Sequence, residues 1–134
     1  MPELRLTIPG VPPSGNHYKA FQVVTPRGGK AFAQWYLTAE AKDWMHTVQV
    51  IGAGRKLRGE SYTISVAVFT PTARALDLDN AFKCILDSLQ HSGVIDNDKR
   101  VTDLHGYRRI DRLNPRTEVI VRTTQETLFQ EAAS

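Results

Sequence analysis

Ser61-Tyr62-Thr63-Ile64-Ser65-Val66-Ala67-Val68-Phe69-Thr70 decides the fold. Tyr62, Ile64, Val66 and Val68 fall on one side of an extended chain, and Ser61, Thr63, Ser65 and Ala67 on the other. This period of two, rich in β-branched residues, predicts a strand with one buried face. Pro71 stops it. From Leu78 to His91 the period changes. Phe82, Ile85, Leu86 and Leu89 recur at helical spacing, and Gly93 lies just past the end, so a helix follows the strand. Val101 to Ile110 and Glu118 to Thr123 read as two closing strands, joined by residues 111–116.

Upstream, Leu4, Leu6 and Ile8 alternate with Arg5 and Thr7 as a first strand. Residues 9–16 hold three prolines and two glycines, a rigid non-helical loop whose backbone N–H groups are free to meet a ligand. Residues 26–30 read as a second loop, mobile and basic. Thr38 is placed to cap a helix from Ala39 to about Val50, with Ala41, Trp44, Met45 and Val48 on one face and Gly52 and Gly54 at its end. The order is strand, loop, helix, strand, helix, strand, strand. It predicts one α/β (α+β) domain over residues 1–123, a small mixed sheet with packed helices, followed by a polar tail at 124–134.

The bulk properties agree with a single globular domain. The chain has 134 residues, 41% of them hydrophobic and 8% aromatic, enough for one core. No apolar run approaches 18 residues and no N-terminal apolar leader pattern is visible, so neither a membrane span nor export is indicated. Cys84 is the single cysteine and falls within a helical apolar pattern, which suits a reducing cytoplasm. The net charge is +3. The tail carries two glutamates and no base, so without it 17 basic residues face 12 acidic ones, a net +5. Several of those acids are clustered aspartates, which leaves the remaining surface more basic, as suits a polyanionic partner.

The clustered acids are Asp77 and Asp79, in Asp77-Leu78-Asp79-Asn80, and Asp96-Asn97-Asp98 beyond the helix. Asp77 and Asp79 lie where extended chain enters the helix, and residues two apart in extended chain point to one side. If the chain turned back after Gly93, Asp98 would join them. Two or three Asp carboxylates suffice for Mg²⁺ when a phosphate completes its shell. Such an ion activates water and stabilises a leaving oxygen at phosphorus. Lys83 follows Asp79 by one helical turn and can neutralise charge on a phosphate. The plain alternatives are a helix cap at Asp77 or Asp79, a polar turn at 96–98, and a surface Asp–Lys pair.

Taken together, Asp77-Leu78-Asp79-Asn80, Lys83, Asp87-Ser88-Leu89, Gly93, Asp98 and Val101 resemble the signature of the RusA Holliday junction resolvases. Pro12-Pro13-Ser14-Gly15-Asn16-His17-Tyr18, directly after the first strand, is similar to that family's other motif, and Thr38-Ala39-Glu40-Ala41 is a weaker third match. The similarity spans about residues 4–123 in the same order. It implies a homodimeric endodeoxyribonuclease that cuts branched DNA, the four-way junction, with Mg²⁺ or Mn²⁺, leaving a 5′-phosphate and a 3′-hydroxyl. Two symmetric sites suit the paired cuts that such a junction needs. By this resemblance Asp77, Asp79 and Asp98 match metal-binding aspartates and Lys83 the catalytic lysine. Ser14, Gly15, Asn16, His17, Arg74 and Asn80 fall in DNA-contacting stretches. Asp96 is the fallback ligand, and Asp103 has a supporting place.

One departure concerns the segment before Asp77. Ala73-Arg74-Ala75-Leu76 holds one arginine where the best-known bacterial member carries several, which should weaken phosphate contacts and flatten the salt dependence. Lys99, Arg100, Arg108, Arg109, Arg112 and Arg116 are candidate replacements. The four histidines lack metal-ligand spacing. Trp35, Tyr36 and Trp44 read as core or dimer-interface residues, with base stacking as the alternative. Cys84 reads as a small core residue, and no G-x-S-x-G, P-loop or dinucleotide fingerprint occurs. The rival functions are a non-catalytic branched-DNA-binding module and a nuclease acting on other branched DNA, on RNA or on small phosphate esters.

Overall fold

A computed structural model describes residues 2–13, 17–73 and 78–124. Among the described residues six strands and two α-helices follow in the order β1 (Glu3–Pro9), β2 (Lys19–Val24), β3 (Phe32–Leu37), α1 (Ala39–Ile51), β4 (Ser61–Thr70), α2 (Leu78–His91), a 3-10 turn (Asp98–Arg100), β5 (Val101–Ile110) and β6 (Arg116–Thr124). Four strands form one mixed sheet in the order β1-β6-β4-β5, and β2 and β3 form a separate two-stranded sheet.

The deciding stretch is the central strand β4. Tyr62, Ile64, Val66 and Val68 are fully buried, while Thr63, Ser65, Ala67 and Phe69 are half-buried on the other face. The buried face meets Leu6 and Ile8 of β1, Val119 and Val121 of β6, Val48 of α1, and Cys84, Ile85 and Leu89 of α2 in one core. Each fully buried aliphatic side chain contributes about 1.5–3 kcal/mol, so this face dominates the stability of the fold. The expected α2 stripe is rotated slightly. Ala81, Cys84, Ile85, Ser88 and Leu89 are buried, whereas Phe82 and Leu86 are half-buried at its border.

β4 runs antiparallel to β6 and parallel to β5. A parallel pair needs a crossover, and α2 supplies it. The register pairs Tyr62 with Val101 and Thr70 with Ile110. α2 therefore leaves the sheet at the Thr70–Ile110 end and returns to it at the Tyr62–Val101 end. Its second turn crosses β5 at Gly106, where a Cβ would sit 2.4 Å from the Phe82 ring. A side chain there would push α2 off the sheet.

Thr38 caps α1 as expected, accepting the Ala41 N–H at 3.1 Å. The loop after β1 turns at Gly10, with φ +85, and is held by hydrogen bonds from Gly10 N to Pro115 O and from Thr117 Oγ1 to Gly10 O.

The β2–β3 hairpin corrects the expected element order. The basic loop at 26–30 is its tip. Phe21 and Trp35 pair across the strands edge-to-face, with ring centroids 5.3 Å apart, and both are more than half exposed. Of the three aromatics read as core or dimer-interface residues, Trp44 is buried in the core, whereas Trp35 and Tyr36 are exposed and lie outside it. Among the described residues no helix is long and apolar enough to cross a membrane.

Candidate nuclease site

α2 begins at Leu78, which puts Asp79 in its first turn rather than in an extended lead-in. The unpaired N–H groups and the positive dipole end favour an acid there. Asp79 and Lys83 are exposed, and Asn80 is half-buried. Spacing by four aligns Asp79, Lys83 and Asp87 along one side of the helix. Asp77, Arg74, Ser14, Gly15 and Asn16 lie outside the described residues.

Asp87 explains why three distant motifs occur together. The Tyr18 phenol is buried against α2 and donates a hydrogen bond to the Asp87 carboxylate. Burial first, and that hydrogen bond second, push the Tyr18 phenol well above its usual pKa, so it remains a donor. Thr38 Oγ1 donates to the His17 carbonyl, and Thr38 N–H donates to the Tyr18 carbonyl at 3.0 Å. His17 Nδ1 approaches Glu40 Oε2 at 3.2 Å, both exposed. The His17-Tyr18 turn is thus tied to the start of α1 and to the middle of α2. Tyr18 and Asp87 carried no assigned role in the sequence reading. The signal was present in the spacing of Asp87 four residues after Lys83.

Asp98 lies at the opposite end of α2. Its backbone N–H donates to Gln90 Oε1 at 2.8 Å. Gln90 is eleven residues beyond Asp79, or about 16 Å along the axis at 1.5 Å per residue. The sheet gives the same answer. Phe82, near Asp79, lies over Gly106. Val101 starts β5 five residues earlier, about 16 Å away at 3.3 Å per residue, and Asp98 precedes it. One chain therefore does not fit Asp79 and Asp98 around one ion. Among the described residues no group of three or more His, Cys, Asp or Glu side chains is placed to hold a metal. The chain after Gly93 enters a strand parallel to β4 instead of turning back to Asp79.

Comparison with known proteins decides the family. The profile of endodeoxyribonuclease RusA matches residues 9–122, a span that includes the His17-Tyr18 turn, α2 and the Asp98 turn. The chain belongs to the RusA family. It is 28% identical over 117 residues to a crossover junction endodeoxyribonuclease RusA of Aquifex aeolicus, covering 84% of this chain and 85% of that protein. It is 31% identical over 83 residues to the crossover junction endodeoxyribonuclease of Enterobacteria phage HK97, covering 58% of this chain and 68% of that one. Membership makes the protein a nuclease of the crossover-junction class.

Within this family frame, the other acids are occupied differently. Asp96 accepts the Tyr62 phenol at 2.9 Å and meets Arg100 at 3.6 Å. The Tyr62 hydrogen bond, aided by Arg100, holds the Asp96 carboxyl below the usual carboxylate range. These partners make Asp96 a brace for the 93–98 turn. Asp103 accepts Thr63 Oγ1 at 3.3 Å, and its pairing with Thr63 puts it on the sheet face away from the helices.

Several candidate DNA-binding bases already have acidic or ring partners. Arg116 bonds Asp111 at 2.7 Å and Glu118 at 3.0 Å and stacks over Phe69 at 3.8 Å. Arg100 also reaches the Gly59 carbonyl at 3.2 Å. Arg109 lies 5.7 Å from the Tyr107 ring. Lys99 and Arg112 are exposed. Cys84 is buried, and burial pushes its thiol up to about 12, so it stays a neutral core residue and not a nucleophile.

Proposed function

We propose that the protein resolves four-way DNA junctions as a homodimer, by paired phosphodiester hydrolysis with Mg²⁺, or Mn²⁺ in its place. The observation that carries this reading is the family match from residue 9 to residue 122, which spans all three motifs. In this reading Asp77, Asp79 and Asp98 form the acidic set, and Lys83 neutralises charge on the scissile phosphate. A bound divalent cation supplies Lewis acidity to such a hydrolysis. Ser14 to His17, Arg74 and Asn80 contact DNA. The tie from Tyr18 to Asp87 supports this division of labour, because it fixes the contacting turn relative to α2. The lone buried Cys84 supports a reducing, cytoplasmic setting.

The test is cleavage of a synthetic four-way junction beside a linear duplex, a flap and an RNA hairpin, each with Mg²⁺ and with EDTA. Paired nicks at the junction alone, abolished by EDTA, are the expected result. Binding without nicking in Mg²⁺ or Mn²⁺ would favour a branched-DNA-binding module. Equal cutting of flap or RNA would make the protein a broader nuclease.

A further inference from the structure

The β2–β3 hairpin carries an apolar surface that the fold does not use. Opposite residues of an antiparallel pair share a face, and the face alternates along each strand. The register therefore puts Phe21, Val23, Trp35 and Leu37 on one face. Leu37, at the root, packs against the core. Phe21, Val23 and Trp35 are 55%, 66% and 66% exposed, with the two rings in contact. An exposed aromatic pair beside an apolar residue marks a contact surface.

Charge identifies what it contacts. Residues 19–37 hold Lys19, Arg27 and Lys30 and no acid, and Arg27 and Lys30 stand exposed at the hairpin tip. At the root, the face opens onto two clefts of about 340 and 320 Å³ that share Leu37, Met45 and His91. Lys19 and Lys42 line them, and the acid there, Asp87, is held by Tyr18. Cations beside exposed rings suit a nucleic-acid strand, which offers phosphates on one side and base faces on the other. A second copy of the chain fits less well. Isologous pairing would bring the cations together, and two rings of about 150–250 Å² each, partly exposed, fall short of the roughly 800 Å² per partner of a stable interface. A duplex hides its base faces in its own stack, so only unpaired nucleotides can use the rings.

We infer that the hairpin binds unpaired DNA beside the branch point, with a base stacked on Trp35 and phosphates along Lys19, Arg27 and Lys30. This rests on the reading of the protein as an enzyme of branched DNA. Lys19 opens β2 directly after the Tyr18 that bonds Asp87, so the hairpin springs from the side of α2 that carries Lys83.

The probe is a 20-nucleotide oligothymidylate, which forms no pairs, with a linear duplex as competitor. Trp35 and Trp44 are the two tryptophans, and Trp44 is buried, so quenching on binding reports Trp35. The wild type should bind the oligonucleotide with quenching. Trp35→Phe should abolish the quenching and keep more affinity than Trp35→Ala, which should weaken binding on the order of 10-fold. Replacing Arg27 and Lys30 by Ala should flatten the salt dependence by about 0.7 per residue.

Binding without quenching and with equal affinity in Trp35→Ala overturns the inference, as does a duplex that competes equally well. A Trp35→Ala chain that sediments as a monomer where the wild type is a dimer gives the face to a second copy and also overturns it. In these outcomes wild-type cleavage of the four-way junction persists. A wild type that neither cuts the junction nor binds the oligonucleotide overturns the functional reading along with the inference.

Discussion

The two ends of α2 are built to different rules. At the C-terminal end the chain is tied down. Leu89, Val94 and Ile95 are fully buried. Gly93 takes φ +84 to turn the chain, and Arg58 donates to the carbonyls of Gly93 and Val94 at 3.0 and 3.1 Å. Tyr62 braces Asp96 from the sheet. At the N-terminal end Asp79 and Lys83 stand exposed on the first two turns. The contrast teaches that α2 is anchored at one end and exposes Asp79 and Lys83 at the other. It follows that stability and cleavage should respond to substitutions at different ends.

The largest stability effect belongs to the anchored end. Leu89→Ala empties a fully buried site and should cost about 2–5 kcal/mol. Asp79→Ala, which removes an acid from the first turn, should cost no more than about 1 kcal/mol. Chemical denaturation of both variants checks the pair, and equal losses would erase the contrast.

Tyr62→Phe comes next. It removes the one O–H that the Asp96 carboxylate and the Leu57 carbonyl share at 2.9 Å, so stability should fall measurably near neutral pH. The pH dependence has a definite sign. The folded Asp96 pKa is depressed, chiefly by Tyr62. Its contribution is therefore fully present above the unfolded aspartate value, about 3.9, and fades as pH falls through the lower folded value. The gap between wild type and Tyr62→Phe should hold from pH 7 to about 4 and narrow below that, and a gap that widens in acid would contradict the assigned brace.

Gln90→Ala should have the smallest effect on folding. It removes an exposed hydrogen bond to Asp98 N–H, about 0.5–1.5 kcal/mol. Because that bond holds the Asp98 turn, junction cleavage should fall more than this modest stability change explains. Rates measured well below the melting temperature separate the two effects.

Much of this contrast was legible in the sequence, and the exceptions have physical causes. β4 was readable because one of its faces is buried, so burial imposes alternation on the residues themselves. β2 and β3 were not, because most of their residues are exposed and only Leu37 at the end of β3 packs against the core, so no alternation is imposed. Thr38 was legible as a cap because its role is local. The Tyr18–Asp87 hydrogen bond spans 69 positions and leaves no periodic trace. Asp79 and Lys83 were legible as neighbours through helical spacing.

The spacing left the position of Asp98 open, although the order strand, helix, strand bears on it. If a helix joins two parallel strands, the residue just before the second strand lies at the far end from the start of the helix. Spacing in sequence suggested a compact acidic group. Topology distributes it over both ends of α2.

The central claim, that the exposed end of α2 cuts DNA junctions, is tested most directly by Asp79→Asn. Single-turnover cleavage of a four-way junction should be compared with wild type in Mg²⁺, alongside junction binding and a thermal melt. The account predicts a loss of cleavage on the order of 10²–10³-fold, as when a group stabilising transition-state charge is removed, with binding and melting temperature essentially retained. Cleavage at the wild-type rate by a folded Asp79→Asn protein would contradict it.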